Sequence, residues 1–166
     1  MVNNFFIALL IAAGIHILEE YIFPGGFAKA FNKLIPRASH LFTVKFHIVV
    51  NGVFILICII ATIIGRANYV LSMSAFGLIF ANAMLHIRGA IIQKGYYPGV
   101  LSGMFIYIPL AIYAFIYIIT SKQLTWIQAV LSFTLGLFYM VVLMIYVLVQ
   151  QRDNTNNEQI LSKMKY

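Results

Sequence analysis

The sequence predicts an all-α bundle of about five membrane-spanning helices, and three observations carry that prediction. Hydrophobic residues make up 63% of the 166-residue chain and charged ones 9%, against roughly 45–50% and about 25% in soluble domains. The apolar segments run to about twenty residues, the length that crosses a hydrocarbon core of roughly 30 Å at 1.5 Å per residue. No segment alternates polar and apolar residues as barrel strands do, and in lipid only helices or closed barrels satisfy their own backbone groups.

Each span is bounded by polar or turn-forming sequence. The expected spans are 4–23, 41–64, 69–92, 100–120 and 124–149, forming a single domain over residues 1–150, with a polar, partly disordered tail over 151–166. "PGGFAKAFNKLIPRASH" separates the first two spans, "GRAN" the next pair, "KGYYPG" the third and fourth, and "TSKQL" the last two. "MVNNFF" lacks the positive region of a signal peptide, so the first span reads as a mature helix. Within the first connection, Phe27, Phe31 and Leu34 fall on one helical face and Lys29 and Lys33 on another. Residues 27–35 thus read as an interfacial helix limited by Pro36, with a positively charged loop as the alternative.

Charge sets the expected orientation. Lys29, Lys33, Arg37, Lys45, Arg88, Lys94, Arg152, Lys163 and Lys165 fall in or beside the first and third connections and the tail; only Arg66 and Lys122 fall in the other two. By the positive-inside rule the N-terminus is outside and the C-terminus cytoplasmic, in a multi-pass protein of the cell membrane. The net charge of +7 thus reads as a topology signal, and no nucleic-acid partner is expected. Cys58 is the only cysteine, which excludes an internal disulfide.

With that orientation, the strongest polar residues of three spans share one leaflet. His16, Glu19 and Glu20 lie late in the first span, His47 and Asn51 early in the second, and Asn82 and His86 late in the third. The three histidines come out roughly 10 Å inside the hydrocarbon edge. At 100° per residue, Glu19 and Glu20 straddle the face of His16, while His47 with Asn51 and Asn82 with His86 each share a face. A charged side chain at a helix centre opposes insertion by about 2.5–3.5 kcal/mol, so such groups face the bundle interior and pair.

Three motifs, "HILEE", "NAMLH" and "YYPG", resemble in order and spacing those of the HXXEE family of small integral membrane proteins, over roughly residues 10–105. The chain departs from that pattern after Pro98-Gly99, where Val100, Leu101 and Ser102 stand in place of an expected threonine; Ser102 is the hydroxyl that could replace it. The family brings no biochemical activity with it.

Imidazole and carboxylate suit a divalent transition metal such as Zn, Fe or Mn. The expected ligands are His16, Glu19, Glu20 and His86, with Glu19 or Glu20 also the candidate catalytic base on a metal-bound water. Asn82, His47 and Asn51 are expected in support, His47 being as readily a packing residue as a ligand. Tyr97, Pro98 and Gly99 are expected to form a turn; the alternative, compatible with it, is a loop that closes over the site with Tyr97 donating its hydroxyl. His40 reads as a surface histidine. No zinc-protease signature, G-x-S-x-G or phosphate loop is present. The leading reading is a metal-dependent enzyme acting on a membrane lipid or other apolar substrate. Beside it stand proton- or cation-coupled transport, which invites a homo-oligomer, and a non-catalytic accessory subunit.

Overall fold

The computed structural model describes residues 2–22, 26–35 and 43–163. Among the described residues six α-helices follow in order: α1 (Val2–Ile22), α2 (Gly26–Leu34), α3 (Val44–Ile64), α4 (Tyr69–Gln93), α5 (Val100–Thr120) and α6 (Trp126–Lys163). No strand occurs among the described residues. Among the described residues five helices are long and apolar enough to cross a membrane, over Asn4–Ile22, Val44–Ala67, Tyr69–Gln93, Val100–Thr120 and Trp126–Tyr146. This is the architecture of a multi-pass membrane protein. Pro36, Arg37 and His40 lie outside the described residues.

Local chemistry sets the helix ends. Thr43 caps α3 by accepting from the Phe46 amide at 3.1 Å, and Asn68 caps α4 by accepting from Leu71 at 3.0 Å. At the end of α4, Lys94 turns left-handed and its amide closes onto the carbonyls of Ala90 and Ile91. In α5 the backbone widens into a π-helical turn over Gly103–Tyr107, just before Pro109. Proline has no amide to donate to the turn before it, so this is where a helix yields. The last helix continues to Lys163, through the polar segment expected to be partly disordered.

The hairpin connections bring the C-terminal ends of α1 and α4 beside the N-terminal ends of α3 and α5. At the opposite end, Phe5, Phe6, Phe76 and Tyr117 form an aromatic cluster, and Thr62 of α3 donates to the Phe6 carbonyl of α1 at 3.2 Å. α4 is the central helix, and its segment Ser72–Ile79 is wholly buried. α6 attaches chiefly to α4, at a crossing where a Cβ on Gly77 would stand 2.7 Å from the Phe133 carbonyl oxygen. Such close backbone approach replaces the hydrophobic drive that is missing between helices in lipid.

α2 lies across the end where the polar residues gather. Phe27, Ala28 and Phe31 are buried while Lys29 and Lys33 are exposed, so the amphipathic pattern read from the sequence becomes an inward apolar face. That face packs with Tyr97 and Val100 and closes the bundle over the histidines.

Candidate metal centre

Glu20 is the hub. Its carboxylate is 3% exposed, and three histidines from three helices converge on it. Oε1 lies 3.5 Å from His16 Nε2 and 3.2 Å from His86 Nε2. Oε2 lies 3.0 Å from His47 Nε2 and accepts from the Asn51 amide at 2.7 Å. His16 is one helical turn before Glu20 on α1; His47 and Asn51 are one turn apart on α3.

The far nitrogen of each ring fixes what the near one can do. A carbonyl oxygen only accepts, so the 2.6 Å contact between His86 Nδ1 and the Pro98 carbonyl means that Nδ1 carries a hydrogen. Nε2, on the other side of the ring, faces Glu20 Oε1 at 3.2 Å. That nitrogen is fully buried and has no hydrogen-bond partner among the described residues. Two acceptors facing each other in a dry site need a cation or a proton between them.

His16 is set the same way. The Ser102 hydroxyl gives its hydrogen to Glu19 and so accepts from His16 Nδ1, at 2.7 Å. His16 Nε2 is left as an acceptor, which the Asn82 amide meets at 3.0 Å. The ring lies against Tyr107, with centroids 4.4 Å apart, and edge-on to His86 at 4.7 Å. Tyr107, placed by the π-turn, is fully buried with no hydrogen-bond partner for its hydroxyl among the described residues.

His16, Glu20 and His86 therefore present ligand atoms that all lie within 4.8 Å of one another, in a buried group that could hold a metal ion. Ligands about 2.0–2.1 Å from a tetrahedral ion stand about 3.3 Å apart; the two Glu20–histidine separations, 3.2 and 3.5 Å, bracket that spacing. Metal-binding histidines characteristically donate their other N–H to a carbonyl or a carboxylate-linked group. His86 does so to Pro98, and His16 does so through Ser102 to Glu19.

Glu19, expected among the ligands, lies apart from this group. Its side chain turns to the N-terminus of α5, where Oε1 accepts from the Leu101 amide and the Tyr96 hydroxyl, each at 3.0 Å. Oε2 accepts from the Ser102 amide at 2.7 Å and from the Ser102 hydroxyl. A carboxylate at unsatisfied helix N–H groups is favoured by both hydrogen bonding and the helix dipole. Glu19 thus caps a helix supplied by a distant part of the chain. Burial, and then the Glu19 carboxylate it donates to, hold the Tyr96 phenol above its usual range, so Tyr96 keeps its proton.

The "YYPG" element carries four separate roles. Tyr96 reaches Glu19, and Pro98 supplies the carbonyl for His86. Tyr97 packs its ring edge-on to Phe27 at 5.7 Å, and burial raises its phenol. Gly99 has φ +88°, and a Cβ there would stand 2.5 Å from His86 Nδ1 and 2.9 Å from His16 Cε1. Only glycine fits. His47 holds the carboxylate and lies outside the three-ligand group, its ring covered by Tyr21 and Phe27 at 5.0 Å each.

Of these residues, the sequence reading did not single out Tyr96, Tyr107 or Phe27 for the site. Ser102 appeared there only as a possible stand-in for a missing threonine. Their signal was faint: aromatic residues abound in membrane helices, and Ser102 is simply the third residue after the capping Gly99.

No curated protein and no solved structure matches the chain. One family model does, over residues 7–114, a stretch that holds every polar residue of the site and ends before α6; the chain belongs to the HXXEE family, described as proteins of unknown function with an HXXEE motif.

Proposed function

We propose that this protein is a metal-dependent enzyme of the cell membrane, with one divalent transition-metal ion on His16, Glu20 and His86 at the cytoplasmic leaflet, acting on a lipid or other apolar substrate. The observation that carries the reading is the fully buried Nε2 of His86, which faces Glu20 Oε1 from 3.2 Å without a well-formed hydrogen bond while its other nitrogen is committed to Pro98. An ion there would take the Asn82 amide's place on His16 Nε2 and leave coordination positions for substrate or water. Bound, it would supply Lewis-acid or redox chemistry. Glu20 would be a ligand and His47 with Asn51 would hold it; Glu19 would position α5 and His16, since four donors already occupy its oxygens.

The transport alternative needs a polar track through the rest of the bundle, and the available hydroxyls argue against one. Thr62, Ser72 and Ser74, in the half away from the site, all close onto backbone carbonyls.

Elemental analysis of folded protein purified without chelator tests the proposal. One transition-metal ion per chain is expected, with loss to background in His16→Ala and His86→Ala variants whose helicity is intact. Folded wild-type protein without bound transition metal would overturn it.

A further inference from the structure

Two cavities of opposite character reach the buried site. α3 packs on α1 and α4, and α6 on α4 and α5; α3 and α6 meet where Phe46 stacks on Tyr146 at 5.9 Å, and a cleft with α4 behind it runs between them beyond that contact. Between them lies a cavity of about 290 Å³, whose walls include Val53 of α3 and Met140 and Leu143 of α6, over a floor that includes Leu78 of α4. Along α3 it extends from Phe46 to Ile57, about 16 Å at 1.5 Å per residue. Val49 and Val53 line it and are also 61% and 53% exposed, so its mouth faces sideways, where lipid surrounds the bundle.

The inner wall is polar. Glu20, His47, Asn51 and Asn82 all border the same cavity. A second cavity, of about 570 Å³, reaches Glu20 and His47 from the α2 side and is bordered by the exposed Lys29 and Thr43. Glu20, Phe27 and His47 border both cavities and so divide an apolar approach from a polar one.

We infer that the substrate is a membrane lipid that enters sideways, its hydrocarbon chain lying between α3 and α6 and its polar group reaching the Glu20–histidine cluster, while water arrives past Lys29. This deepens the metal-enzyme reading and rests on it for the chemistry. The choice of occupant follows from the polarity profile: a narrow apolar cleft, open to lipid and ending on buried polar groups, matches a molecule with one long apolar chain and a polar head. The groove between α5 and α6 lacks that profile. It is bordered by Ile112, Ile116 and Val130 and reaches no histidine or carboxylate, so bulk lipid fills it without selection.

Photolabelling tests the inference. The full chain in phosphatidylcholine liposomes is irradiated with a palmitic acid carrying a chain diazirine, and the labelled peptides are mapped. Labelling is expected to concentrate on residues 46–57 and 139–144, to be competed by unlabelled palmitic acid, and to fall at least fivefold in Met140→Trp and Val53→Phe with metal content unchanged. His86→Ala, or chelator-stripped wild type, should lose metal and keep the labelling, so the two readings fail separately. Labelling equal on the α5/α6 groove, or insensitive to both cleft-filling substitutions, would overturn lateral entry whatever the metal result.

Discussion

His86 Nε2 stands 3.2 Å from Glu20 Oε1, and the ring nitrogen on its far side is held by the Pro98 carbonyl at 2.6 Å. That pair ties the third membrane span, the α4–α5 turn and the first span into one electrostatic unit. The turn commits Nδ1 to the Pro98 carbonyl, and the carboxylate faces Nε2. A buried carboxylate among three imidazoles is costly to leave without a cation, and the predictions below follow from how that cost is met.

Removing the ion should weaken the fold. A ligand bound only by the native state stabilises it by about 2.7 kcal/mol at a hundredfold excess over its Kd. Chelator should therefore lower the thermal midpoint of the wild-type protein in detergent and leave that of His86→Ala unchanged. Equal shifts in both would place the chelator's effect elsewhere.

Ser102→Ala removes the hydroxyl joining His16 Nδ1 to Glu19. Loss of such an orienting partner lowers metal affinity by about 10–100-fold. Competition with a chromophoric chelator should register that drop while circular dichroism stays at the wild-type level.

Glu19→Gln and Tyr96→Phe separate the cap from the metal site. Gln at position 19 loses the charge that faces the Leu101 and Ser102 amides; hydrogen bonds to charged groups contribute about 1.5–3 kcal/mol each at the upper end. Tyr96→Phe removes one donor and should destabilise by about 1 kcal/mol or less. Unfolding measurements are expected to rank the two in that order, with metal retained in Tyr96→Phe. Complete metal loss in Tyr96→Phe would contradict the assignment of Glu19 to capping.

Gly99→Ala should be severe for its size. A side chain at φ +88° is strained by about 1–3 kcal/mol, and the new Cβ would press on His86 Nδ1 at 2.5 Å. Loss of both metal and thermal stability is expected. Gly95→Ala, where a Cβ meets nothing within 4 Å, serves as the control and should retain metal.

His47→Ala and Asn51→Leu test holding against ligation. Both residues contact Glu20 Oε2, the oxygen facing away from His16 and His86. Each variant should keep one ion per chain at saturating metal and bind it about 10–100-fold more weakly. Zero occupancy at saturation in His47→Ala would make His47 a ligand.

The sequence by itself determined the all-helical class, the five apolar spans, the family motifs and the gathering of His16, Glu20, His47, Asn82 and His86 at one depth. These follow from residue type and from a rise of 1.5 Å per residue, both readable along the chain. It offered an amphipathic helix beside a charged loop where α2 lies, because Phe27 and Phe31 alternate with Lys29 and Lys33 at helical spacing, and packing on Tyr97 and Val100 decided for the helix. Tertiary structure alone decided how the neighbouring carboxylates divide their work. Successive helix positions differ by 100°, so Glu19 and Glu20 had to face different neighbours, and only packing shows that one meets the start of α5 and the other the histidines. The parts of Ser102 and Tyr96 were decided there too, because a hydrogen bond between residues 77 or 86 positions apart leaves no periodic trace in the chain; so was that of the Pro98 carbonyl, twelve positions from His86, because a backbone oxygen has no residue type to read.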